Sequence, residues 1–173
     1  MRRIALTILL AVPAFLYGSS PSQLVPEGTL DSQVQHKLNT LAYYTVFDDL
    51  HFYVEGGKVI LSGEVVKPLL KIDAEAAVKE VKGVSGVENR IEVLPLSNFD
   101  NSIRVRTARS IFGYGPLYRY GLGARSSIHI LVKDGNVTLT GAVSSKMDRD
   151  MITARVNTVP GIFSVTNDLV VAP

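Results

Sequence analysis

The chain has no cysteine and no tryptophan among its 173 residues, and it carries little net charge. Without cysteine there is no acylated cysteine to serve as an anchor. There is equally no disulfide framework, no thiolate nucleophile and no thiolate metal site. The fold must be held by its core alone. The formal charge of +2 belongs to Arg2 and Arg3, so the rest of the chain is neutral overall. An apolar run long enough to span a bilayer, about 20 residues, is also missing. The longest one, Ile4 to Tyr17, is interrupted by Thr7 and Pro13.

A basic start, a short apolar stretch and the small residues Gly18, Ser19 and Ser20 together read as a secretory signal peptide. It is expected over residues 1–22, with cleavage after Ser20 or Ser22. The chain is then exported, without a lipid anchor, to the periplasm of a bacterium with a double membrane.

Neutrality hides an asymmetry. Gln23 to Phe99 holds seven Lys/Arg against eleven Asp/Glu, whereas Asp100 to Pro173 holds nine against five. Between Asn101 and Lys133 there are six basic residues and no acidic one. Within that block lies "IFGYGPLYRYGLGARSS", Ile111 to Ser127, rich in tyrosine and glycine.

The chain repeats itself. Val54–Pro95 aligns with Val132–Pro173 without a gap at an offset of 78, and about a third of the positions are identical. Gly57, Gly63 and Gly83 match Gly135, Gly141 and Gly161, and Asn89 matches Asn167. These six glycines are expected to be structural, as turn residues and helix stops. Val59, Leu61 and Val65 alternate as one buried strand face, matched by Val137, Leu139 and Val143. Ala74, Val78 and Val81, matched by Ile152, Val156 and Val159, form a helical apolar stripe. Pro68 suits a first helical turn, and Ser145 with Asp148 a cap pair. A further helix precedes each hairpin. One begins near Asp31 and buries Val34, Leu38 and Leu41; the other begins near Asp100 and has a weaker face of Ile103, Thr107 and Ile111.

The expected fold is α+β: two tandem α-β-β-α-β modules, each with two helices on one face of a small three-stranded mixed sheet. The modules are placed at 27–95 and 99–173. Asp31 and Asp100 lie 69 apart while the later parts lie 78 apart, so the second module carries an insertion at about 112–126.

"VEGGKVILSGEV…VKGVSGVENRIEV" and "VKDGNVTLTGAV…VPGIFSVTNDLVV" resemble the BON domain family (bacterial OsmY and nodulation). The resemblance implies a non-catalytic protein of the cell envelope, associated with phospholipid binding, envelope maintenance and osmotic stress.

Little in the residues points to catalysis. His51 and His129 are aligned copies, which favours a structural role. A Ser126–His129–Asp134 triad lacks a nucleophile elbow. Asp48–Asp49 and the Asp148/Asp150 pair lack the ligand pattern of a calcium loop and read as surface charge. The GxxxxGK[ST] spacing of a phosphate loop is absent. Neither a cofactor nor a metal is expected, and export with overall neutrality argues against nucleic acid.

What remains is surface. Tyrosine and arginine suit a lipid headgroup layer, where each basic residue adds roughly 1 kcal/mol against an anionic leaflet. The expected lipid contacts are Arg104, Arg106, Arg109, Tyr114, Tyr118, Arg119 and Tyr120. Alternatively, Leu117 and Leu122 plug the joint between modules, the tyrosines pack on it, and the arginines meet the acidic first module. A different role altogether is that of an adaptor docking on an envelope or secretion protein.

Overall fold

The computed structural model describes residues 28–122 and 126–172. The signal peptide expected over residues 1–22, and residues 123–125 of the insertion, lie outside the described residues.

The first module runs α1 (Leu30–Asn39), β1 (Asp49–Glu55), β2 (Lys58–Val65), α2 (Pro68–Lys79), β3 (Gly86–Asn89) and β4 (Glu92–Val93). The second runs α3 (Asn98–Phe112), a 3-10 segment (Gly115–Gly121), β5 (Ile128–Lys133), β6 (Asn136–Val143), α4 (Lys146–Val156), β7 (Ser164–Asn167) and β8 (Val170–Val171). In each, a hairpin is followed by a helix and a strand that returns parallel to the second hairpin strand.

Each sheet is mixed, with its third strand in two pieces. Leu61 stands opposite Asn89 and Glu64 opposite Glu92, so pairing resumes in the same register after the break. The repeated asparagine manages that break. The Asn89 amide donates to the Lys71 carbonyl of α2 (2.8 Å), while its own oxygen accepts from Ile91 N–H (3.1 Å). Asn167 makes the matching bonds to Arg149 and Leu169. One side chain thus ties helix to strand and satisfies backbone that the interrupted ladder leaves open.

The cores are the ones the periodicity predicts except at Leu41, which lies past the end of α1 and is only partly buried. Val59, Leu61, Val65, Ala74, Val78 and Val81 are buried with Val34, Leu38, Leu70 and Ile91. In the second module Ile103, Ile111, Val137, Leu139, Val143, Ile152 and Val156 are fully packed. Thr107 is buried as well, at the centre of the α3 face.

All six glycines expected to be structural have positive φ. The requirement is strictest at Gly63 and Gly141, in mid-strand, where an added Cβ would collide with the carbonyl oxygens of Asp49 and Ser127. Gly83 and Gly161 do not end the helices, which stop at Lys79 and Val156; they shape the turn before the returning strand.

The helices that begin near Asp31 and Asp100 are not capped by those aspartates. Thr29, not Asp31, caps α1, and Ser97, not Asp100, caps α3, each accepting from the N–H three residues on. Serine and threonine serve at the cap itself, and a carboxylate in the first turn faces the positive helix end.

Candidate functional site

α3 sorts the expected contact residues by helical angle. Asp100, Ile103, Arg104, Thr107 and Ile111 fall on the buried arc. Asn98, Ser102, Val105 and Arg109 form the exposed line, at spacings of three and four. Arg104 is therefore no surface residue. It is 2% exposed, and a terminal guanidinium nitrogen donates to the Val132 carbonyl (2.6 Å) on the edge of β5. Arg106 is half-buried and donates to the Pro160 carbonyl (3.2 Å). Arg109 stays exposed.

The 3-10 segment folds back on its own module. Leu117 is fully buried and Tyr120 nearly so, both within the second core. The Tyr120 hydroxyl donates to the Asp148 carboxylate (2.8 Å) and accepts from Ser144 N–H (2.9 Å). Arg119 bonds the same carboxylate oxygen (2.7 Å), as does the Ser145 hydroxyl (2.7 Å). These donors hold Asp148 below the usual carboxylate range: the Ser145 bond lowers it most, burial opposes, and Tyr120 and Arg119 add to the lowering.

Asp148 is thus no surface charge, and Tyr120 is not available as a surface contact. The plug also differs from the one anticipated: Leu117 fills the second module's own core, and Leu122 is exposed. Arg119 answers an acid of its own module rather than the acidic first one.

An exposed set remains. Tyr118 is 57% exposed and Leu122 53%, beside the exposed Arg119. Tyr114 is half-buried, its ring under the Arg155 guanidinium at 4.4 Å.

A feature the sequence reading missed lies at the other end of α3. Phe99 and Phe163 stack at 5.9 Å, 47% and 74% exposed, next to Gly161 and Arg106. The available signal was the repeat, since Phe163 stands where the first module has Ser85.

A family model described as the BON domain matches residues 27–95 and 121–173, most of the chain. The chain belongs to the BON domain family. The family is a non-catalytic one, and membership suggests an envelope-associated, non-enzymatic protein. A search of curated proteins finds no match. Among solved structures, the chain is similar to CdsD of Chlamydia trachomatis, described as a structural protein of the type III secretion system. Identity is 12% over 83% of this chain and 92% of that one, with a TM-score of 0.31. The C-terminal domain of CdsD gives 13% identity over 86% and 100%, also at 0.31. An overlap that loose carries no argument about function.

The two BON modules touch through groups read from the sequence as surface charge. Asp48 is buried, and its carboxylate accepts from Thr45 N–H (2.9 Å), the Thr45 hydroxyl (2.7 Å) and Val66 N–H (2.7 Å). It thereby shapes the turn that presents Val46, whose carbonyl accepts from Ile130 N–H (2.7 Å) on the outer edge of β5. Val46 and Phe47 pack against the second core.

Asp49 bridges the modules, accepting from the Thr140 hydroxyl (2.6 Å) and lying 3.0 Å from the His51 ring nitrogen. Burial alone would raise Asp49, but the bonds from His51 and Thr140 outweigh it and hold the carboxyl low. His51 is raised in turn, chiefly by its bond to Asp49. Beside them Glu64 is raised by burial, with Lys133 opposing and Glu92 and Asp49 adding. Lys133 pairs with Glu92 across the joint (3.3 Å).

Ser126 donates to the Tyr120 carbonyl, and Asp134 lies in the β5–β6 turn, so no Ser–His–Asp relay forms. Among the described residues no three His, Asp or Glu side chains gather as a metal site, and no helix is long and apolar enough to cross a membrane.

Proposed function

We propose that this chain is a non-enzymatic periplasmic protein that associates reversibly with anionic phospholipid surfaces through its second BON module, in envelope maintenance or osmotic stress. The observation that carries this reading is the exposed set Arg109, Tyr118, Arg119 and Leu122, inside a stretch with no acidic residue from Asn101 to Lys133. Tyrosine rings favour the headgroup level, and exposed arginines gain roughly 1 kcal/mol each near an anionic leaflet. So few contacts give weak, salt-sensitive binding rather than anchoring. Phe99, Val105 and Phe163 supply further exposed apolar area along and beyond α3.

The test is co-sedimentation of the chain lacking residues 1–22 with vesicles of phosphatidylglycerol and phosphatidylethanolamine, against phosphatidylethanolamine with phosphatidylcholine. Binding is expected only with the anionic lipid, weakening as salt rises. Arg109→Glu with Tyr118→Ser should reduce it by about tenfold, the loss of one or two interfacial contacts. Binding unchanged by that double substitution contradicts the proposal. Absence of vesicle binding, together with a single stoichiometric protein captured from envelope extracts, favours the adaptor role instead.

A further inference from the structure

Arg104 is nine-tenths and more buried, yet it pairs with no carboxylate among the described residues. Among the described residues its Nε has no hydrogen-bond acceptor, and its one bond runs to the Val132 carbonyl. Burial lowers its pKa, with Asp100 and Asp48 opposing at longer range. Both of those carboxylates are committed elsewhere. Asp100 accepts from Asp134 N–H (3.1 Å) and Gly135 N–H (2.8 Å), and Asp48 from Thr45 and Val66. A buried guanidinium left with spare donors and no ion partner is costly unless an anion joins it.

Arg104 lines a cavity of about 280 Å³ together with Val66, Leu96, Ser97, Asn98 and Asn101. This cavity sits at the N-terminus of α3, a helix of 15 residues. The first N–H groups of a helix have no partner within it, and the dipole there favours negative charge. Ser97 Oγ already accepts from Asp100 N–H, which leaves its own proton to donate. Asn98 and Asn101 are exposed at the mouth and carry amide donors. At the small end of ligand pockets, the space suits one compact group rather than an extended molecule.

We propose that this cavity binds a single phosphate-type oxyanion, held by the Arg104 guanidinium, the Ser97 hydroxyl and the Asn98 and Asn101 amides. Val66 belongs to the first module, Leu96 to the connection and the remaining lining residues to the second. An occupied site therefore fastens the two modules together. It is separate from the exposed set proposed to meet membranes, and either can fail without the other. The phosphate is either a free ion or the diester of a lipid headgroup.

The experiment is thermal unfolding of the full chain against inorganic phosphate or glycerophosphoglycerol, with sodium chloride at matched ionic strength as the control. A saturable rise in Tm is expected with at least one probe. A stronger response to inorganic phosphate assigns the free ion, and a stronger response to the diester assigns the headgroup. Arg104→Met removes a buried group and can impair folding, so the decisive variant is Asn101→Asp. That position is exposed in the first turn, where a carboxylate suits the helix dipole. It should fold normally and weaken the anion at least about tenfold. Equal Tm in phosphate, diester and chloride overturns the proposal, as does an Asn101→Asp chain that responds like the wild type.

Discussion

The third residue of the second helix in each module shows how far two copies of one fold can diverge at a single position. In the first module it is Leu70, buried in the core; in the second it is Asp148. A carboxylate placed there needs donors, and the insertion brings them: Tyr120 and Arg119 reach Asp148 from 28 and 29 residues away. The insertion is therefore the counterpart of a buried acid, which explains why Tyr120 faces inward. Tyr120→Phe should cost about 1–2 kcal/mol, since it leaves Ser144 N–H and Asp148 each short of a partner. Leu70→Asp should cost more, about 3–5 kcal/mol, because the first module has no tyrosine or arginine to receive it. Urea denaturation checks both. Equal losses at the two positions would contradict this account.

Elements were legible where spacing alone decides them. The valine and leucine alternation placed the hairpin strands, and the stripes from Ala74 to Val81 and Ile152 to Val159 placed α2 and α4. The repeat fixed module number and order. Three kinds of feature could not be read. Thr29 and Ser97 cap helices that the nearby aspartates only support, because a cap is decided by backbone geometry. Asp48 takes its bonds from Thr45 and Val66, three and 18 residues away, and Asp49 from Thr140, 91 residues away, pairings that spacing along the chain does not announce. Arg104 and Arg109 differ by five positions in a helix of uneven apolar face, so composition could not say which one turned inward. Within the elements, the mid-strand glycines are the least replaceable positions. Gly141→Ala should destabilise by about 3 kcal/mol or more, as a collision with fixed backbone in a positive-φ conformation. Gly115→Ala, with nothing near its added Cβ, should change stability by less than about 0.5 kcal/mol. Thermal melts of the two variants test the contrast.

Across the whole molecule, the acidic and basic halves meet at few points, and the joint is built from specific bonds more than from overall charge. Thr140 with Asp49, Lys133 with Glu92, and the Val46 carbonyl with Ile130 N–H carry it, and the Tyr44 and His129 rings pack edge to face at 5.8 Å. Three titrating groups give this joint a pH dependence. The folded pKa of His51 is raised, so its contribution is complete below the unfolded value of about 6.5 and fades as pH rises through the folded value. That of Asp49 is lowered, so its contribution is complete above about 3.9 and is lost as pH falls through the folded value. Glu64, raised by burial, acts in the same sense as His51 but starts lower: its contribution is complete below the unfolded value of about 4.3 and fades as pH rises through the folded value. Stability should therefore fall below about pH 4 as Asp49 is protonated, decline gently above about pH 4.3 as Glu64 ionises, and fall further above about pH 6.5 as His51 loses its proton. His51→Gln should flatten the fall between about pH 6 and pH 8, as read by Tm across that range. A fall as steep as that of the wild type would contradict the role given to His51.

The proposed function puts the second module's exposed face, and not the first module's, against the membrane. Because the chain has no tryptophan, Tyr118→Trp places a lone reporter on that face, and Tyr53→Trp places one on an exposed site of the first module. The measurement is tryptophan emission as phosphatidylglycerol vesicles containing brominated lipid are added. A blue shift and quenching are expected for the Tyr118 reporter, with the Tyr53 reporter unchanged. Quenching at Tyr53 equal to or greater than that at Tyr118 would contradict the claim.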